Sequence, residues 1–150
     1  MYFKLQITME GNSFVYPVPD INKIKGVKYR KDMKECVCYY PEDISGNAGV
    51  EAITEAQYEQ YPKCRVNLDK TQIQSDGIDT ITVTVSLPNI ITGEQVNLYV
   101  NGALVDFAIT DTNQATFEIT ADSSMAGEIL EVSAESQHWH MSDKVLLEVL

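Results

Sequence analysis

The sequence predicts a mainly β chain, in which a C-terminal immunoglobulin-like β-sandwich of about seven strands follows a small α+β N-terminal unit. Three observations carry this. After residue 66, short runs that alternate between apolar and polar residues recur between turn signals spaced about 8–12 residues apart. Before Pro62 the strand candidates are interrupted by prolines and joined by one capped helix start. Charge and tyrosine also divide the chain at the same place.

The 150 residues suffice for one ordinary domain or two small ones. Apolar residues at 44% and charged residues at 22% are those of a chain that buries a core. Residues 1–70 hold ten of the eleven basic residues and ten acidic ones, whereas residues 71–150 hold one basic and twelve acidic. Seven of the eight tyrosines precede Pro62. The boundary is therefore placed near Tyr61-Pro62-Lys63, giving units at 1–62 and 66–150.

In the first unit, Phe3, Leu5 and Ile7 alternate with Lys4, Gln6 and Thr8 as a strand. Glu10-Gly11-Asn12-Ser13 is a turn across which Phe14-Val15-Tyr16 can pair back. Pro17 and Pro19 stop regular pairing, and Val27–Tyr29 and Glu35–Tyr40 are further strands. Thr54 is an N-cap with Gln57 at the third helical position, a capping box, and Ile53 can staple to Tyr58. That helix ends before Pro62. A unit of this size buries only about 60% of its unfolded surface, so it is expected to pack on the sandwich or on another subunit.

In the second unit an early strand spans Val66 to Ile73. Thr80 to Leu87 alternates strictly, with Ile81, Val83, Val85 and Leu87 on one face. Gln95 to Val100 does the same and runs into Asn101-Gly102, the pair that suits a type I′ turn with positive φ at both positions. Ala103 to Ile109 returns with Val105, Phe107 and Ile109 in phase. Asp111-Thr112-Asn113 turns into a strand marked by Ala115, Phe117 and Ile119. Ile129 to Ala134 and Lys144 to Leu150 complete the series.

The stretch from Asp69 to Val83, with Asp76-Gly77 in a turn before an alternating Thr/Val strand, resembles the opening of bacterial Ig-like domains of the invasin and intimin type. Gly93, ahead of the third strand, fits the same pattern. The resemblance covers residues 66–150 and leaves the N-terminal unit aside. It implies a stalk or adhesive module with no catalytic residues of its own. The Ile53-Thr54-Glu55 helix start joined to a small β unit is similar to short proteins of phage and prophage structural operons.

The net charge of −11 argues against nucleic acid and anionic lipid as partners, since both are bound through lysine and arginine. No stretch approaches the roughly 18 apolar residues of a membrane span, and no secretory signal opens the chain, so synthesis in the cytoplasm is expected. Cys36, Cys38 and Cys64 are odd in number, and the two-residue spacing of the first pair is a poor disulfide geometry, so reduced structural thiols are expected.

His138-Trp139-His140 is the most distinctive local feature. Three readings stand beside one another: a weak metal site, a polar connection with Trp139 covering the sandwich end, and an exposed Trp that stacks on a sugar or enters a partner. No third fixed ligand accompanies the histidines, so no metal is assigned. The acidic loop residues Asp76, Asp79, Asp106, Asp111 and Asp122 match no EF-hand spacing and read as a solvated face. The segment from Lys23 to Lys34, with Lys28, Arg30 and Lys31 at its centre, can dock an acidic surface.

No nucleophile elbow, P-loop, HExxH or dinucleotide fingerprint is present, so a non-enzymatic protein without a cofactor is expected. An Ig-like module without an export signal fits a phage or prophage virion protein of tail or capsid. In that reading residues 1–62 anchor it to other virion or subunit proteins, and the module binds a cell-surface glycan or protein. A homo-oligomer is expected. The alternative is a fragment of a cell-surface adhesin or a carbohydrate-binding module.

Overall fold

The computed structural model describes residues 1–88 and 93–150. The chain is mainly β and divides into two compact units, Met1–Pro62 and Lys63–Leu150. No helix among the described residues is long and apolar enough to cross a membrane.

The first unit is built on a four-stranded antiparallel sheet. β1 (Tyr2–Gln6) lies between β5 (Glu35–Tyr39) and β6 (Val50–Ile53), and β4 (Lys25–Tyr29) flanks β5. A separate hairpin, β2 (Thr8–Glu10) with β3 (Ser13–Val15), closes over the turn at Gly11. In β1 the alternation puts Phe3 and Leu5 inward, opposite Cys38 and Cys36 of β5. These four, with Ile7, Tyr40 and Ile44, form the buried core, and Tyr16, Val18, Ile24 and Val27 pack against it.

α1 (Glu55–Gln60) starts as the sequence predicts. Thr54 Oγ1 accepts the Gln57 N–H and the Gln57 side chain accepts the Thr54 N–H, closing the capping box. Tyr58 anchors the helix to the sheet: its ring lies 4.6 Å from that of Tyr2, and its hydroxyl donates to the Gly26 carbonyl at 2.6 Å. Gly26 has φ +60, and a Cβ there would stand 2.5 Å from the Tyr58 hydroxyl, so any other residue would strain the backbone and push that hydroxyl aside. β6 is an addition to the predicted elements.

The second unit is an Ig-like β-sandwich. One sheet has the order β12 (Gln114–Thr120), β9 (Thr80–Ser86), β7 (Arg65–Leu68). The other runs β11 (Ala103–Ile109), β10 (Gln95–Val100), β13 (Ile129–Ser136), β14 (Val145–Val149), β8 (Gln72–Ile73). Ile81, Val83 and Val85 of β9 and Phe117 of β12 face Val96, Leu98, Leu130, Val132 and Leu147 across the interior, and all are buried. Asn101 and Gly102 take φ +51 and +79, as the predicted I′ turn requires.

Two expectations change here. The single early strand from Val66 to Ile73 is two: β7 pairs antiparallel with β9, while β8 crosses to the other sheet and pairs parallel with β14. Asp69 and Lys70 fall at the break, and the Asp69 carboxylate accepts the Thr82 N–H at 3.0 Å. Second, Val105, Phe107 and Ile109 do not share a core-facing side. The β10–β11 register shifts between Leu98 and Tyr99, which leaves Val105 as the extra residue of a bulge.

Candidate functional site

The edge strand β11 is where the sandwich exposes apolar side chains. Leu104, Val105, Phe107 and Ile109 are 53–62% exposed. Phe107 is paired with Asn97, Ile109 with Gln95 and Leu104 with Tyr99, on the side of the sheet opposite buried Val96 and Leu98. Leu146, opposite Glu131, and Ile129, opposite Glu148, lie on the same outer face and are also exposed. Apolar residues on a strand whose second edge has no neighbour among the described residues form a surface suited to contact with another chain.

Beside it, a cavity of about 230 Å³ opens between the sheets at β11 and β12. Leu98, Val105, Ile119, Met125 and Leu130 provide apolar wall, and Asp106 and Glu118 line it as well. The bulge is the local cause, because it sets Val105 and Asp106 together opposite Leu98. A second cavity of similar size lies in the first unit, lined by Tyr16, Ile21, Ile24, Val27 and Tyr29. There the Tyr16 and Tyr29 hydroxyls share a hydrogen bond of 2.6 Å, and burial raises the ionisation of Tyr16 above its ordinary value.

The histidine–tryptophan segment has another role. Trp139 is completely buried, and its backbone N–H donates to Ser136 Oγ at 3.0 Å. An exposed ring for stacking on a sugar is thereby replaced by a core residue. His138 is half-buried, and its Nδ1 faces the Glu94 carboxylate at 2.9 Å. His140 is exposed, and its carbonyl accepts the Cys64 N–H. Among the described residues no group of three or more His, Cys, Asp or Glu side chains is placed to hold a metal ion.

The basic segment is engaged within its own unit. Lys23 pairs with Glu42 at 2.7 Å. Lys28 donates to the Tyr58 carbonyl at 2.9 Å and sits 4.1 Å from the centre of the Tyr58 ring. Arg30 makes a two-pronged contact with Asp32 and stands 3.7 Å from Glu35. Glu35 is buried and also accepts from Gln6 and from the Tyr61 hydroxyl. Lys31 is half-buried in the turn between β4 and β5. As a docking face the segment is weakened, because two of its central cations are already committed to positioning the helix and the β4–β5 turn.

Of the acidic residues, Asp76, Asp79 and Asp122 cap turns, whereas Asp106 lies within β11. Asp76 accepts from the Asp79 and Ile78 N–H groups, Asp79 from Gln74 N–H and Lys70, and Asp122 from the Ser124 hydroxyl and N–H. These hydrogen bonds hold all three carboxyls below the ordinary aspartate value. The three cysteines are buried; burial pushes Cys36 up to about 12 and Cys38 up to about 11, values at which neither is a nucleophile.

Sequence reasoning missed the outer face of β11 as a site. Its signal was the run Leu104-Val105-Asp106-Phe107-Ala108-Ile109 itself, apolar at five positions of six and too apolar on both sides for a half-solvated strand.

No family model and no curated protein matches this chain. Among solved structures it is similar to a glycosyl hydrolase family 2 member from Bacteroides cellulosilyticus DSM 14838, at 14% identity and a TM-score of 0.48. The alignment covers 96% of this chain and 22% of that one, so the chain spans less than a quarter of the length of that neighbour.

Proposed function

We propose that this chain is a non-enzymatic structural accessory protein of a phage or prophage virion, whose Ig-like module makes protein contacts through strand β11. The observation that supports it is the exposed apolar row of Leu104, Phe107 and Ile109 on a terminal strand. Three large apolar side chains held on rigid β backbone cost free energy in water, and burying each against a partner returns about 1.5–3 kcal/mol. The neutral, tyrosine-rich first unit would serve as the anchor. The reading concerns assembly and adhesion by protein contact, and it assigns no glycan site now that Trp139 is inside the sandwich.

The test is incorporation into particles. Virions purified from an induced culture would be probed for the chain, alongside particles carrying Phe107→Ser with Ile109→Ser. Co-sedimentation of the unaltered chain and its loss in the double variant support the reading. Absence from particles, with neighbouring genes that encode no capsid, portal or tail protein, removes it.

A further inference from the structure

We propose that the free edge of β11 accepts an extended segment of a partner protein bearing lysine or arginine, which adds to the sheet as a strand and places one basic side chain in the cavity between β11 and β12. The inference rests on the docking role assigned to β11 above and names the chemistry of the partner.

The orientation of the edge follows from the ladder. Thr110 N–H donates to the Glu94 carbonyl at 2.8 Å, so these two residues form a hydrogen-bonded pair. Antiparallel pairs alternate between bonded and non-bonded, and the same register runs on through Ile109 with Gln95 and Phe107 with Asn97. Ile109 and Phe107 therefore direct their N–H and C=O groups away from β10, towards the side where no strand follows among the described residues. The Phe107 N–H is occupied there by the carboxylate of Asp106, at 2.8 Å. Asp106 thus stands where the carbonyl of an added strand would bind.

A carboxylate on an edge repels a neutral or acidic strand and blocks casual pairing. A cation changes the balance, because it draws the carboxylate to itself and frees the Phe107 N–H for a backbone carbonyl. The cavity is sized for such a group. About 230 Å³ is below the roughly 300–1,000 Å³ of pockets that enclose a small-molecule ligand, and it matches a single side chain. Leu98, Val105, Ile119 and Met125 can cover the methylene stem, while Asp106 and Glu118 face the charged head.

Charge also selects against a second copy of this chain. Residues 71–150 carry twelve acidic residues and one basic residue, and β11 paired with itself about Asp106 would set like charges together. An added strand presents side chains alternately to the two faces. One set would meet Leu104, Phe107 and Ile109, and the other would face the cavity, so the segment should alternate apolar and basic residues.

The experiment titrates the full isotope-labelled chain with short synthetic peptides that alternate valine with lysine or valine with glutamate, read by amide chemical shifts. The lysine peptide is expected to shift Phe107 and Ile109, and to bind at least about tenfold more tightly than the glutamate peptide. Asp106→Asn, at an exposed position, is expected to weaken the lysine peptide by about threefold to tenfold, and Glu118→Gln to act in the same direction. Equal binding of both peptides, shifts centred elsewhere, or a free chain that sediments as a dimer with a protected Phe107 amide would overturn the inference. If virions still incorporate the chain while the lysine peptide fails to bind, the proposed function stands and only the basic strand falls.

Discussion

The imidazole of His138 is fastened to the carboxylate of Glu94. Nδ1 lies 2.9 Å and 3.0 Å from the two oxygens, and the His138 backbone N–H donates to one of them at 2.8 Å. Glu94 is itself buried, with its N–H bonded to Thr110 Oγ1. One carboxylate thereby ties the segment leading to the last strand onto the start of β10. Glu94→Gln keeps the volume and removes the charge, so it should destabilise the unit by about 1.5–3 kcal/mol, the range for hydrogen bonds to charged groups. The change would be read as a lower urea midpoint at unchanged slope, and an unaltered midpoint would show that the contact contributes nothing net.

Trp139 should behave as a core residue. Trp139→Ala is expected to cost about 3–5 kcal/mol. As the only tryptophan of the chain, it gives a direct optical check: blue-shifted emission with low quenching by iodide, unchanged on adding glycans or zinc. Emission at the wavelength of a solvated indole would contradict its burial.

Two phenylalanines on successive strands should respond oppositely to loss of the ring. Phe107 on β11 is 62% exposed and Phe117 on β12 is 3% exposed. Phe107→Ser should alter stability by no more than about 0.5 kcal/mol, while Phe117→Ala should cost about 3–5 kcal/mol. Thermal melting of both variants makes the comparison. Equal losses would mean that Phe107 is covered within the free chain.

The contrast shows which part of the architecture is readable from local pattern. β9 alternates, and its apolar side is buried, because the strand lies in the middle of its sheet and both registers agree. β11 carries apolar residues on both sides, and a bulge opposite Leu98 and its terminal place in the sheet put most of them in water. Neither fact is encoded within seven residues. The burial of Trp139 is of the same kind, since it depends on strands far away in sequence. The break at Asp69-Lys70 did carry a signal, an acidic turn residue inside a run read as one strand. The capping box at Thr54 was fully legible because its partners lie within three residues.

Acid should loosen the turn before β9. The Asp79 carboxyl is held below 3.8, first by the Gln74 N–H and then by Lys70. A carboxyl with a lowered folded value contributes stability above its unfolded value and loses it as pH falls through the folded one. Asp79→Asn should therefore be less stable than the parent chain at pH 7, with the gap closing as pH drops below 3.8. A gap that is constant with pH would place the effect in shape and not in charge.

The crossing of β8 to lie parallel with β14 has a mechanical consequence. Leu150 N–H donates to the Ile73 carbonyl and Glu148 N–H to that of Thr71, both at 2.9 Å, and Gln72 adds a side-chain bond to Glu148. The second and the last strand of the sandwich thus run side by side in the same direction. Tension applied between the N-terminal side of β8 and the C-terminal end of β14 pulls these neighbours past one another and loads their bonds together, in shear. An antiparallel pair pulled from its open end would instead unzip one bond at a time. The β8–β14 pair therefore resists separation along the strand direction better than an antiparallel pair opened from its end.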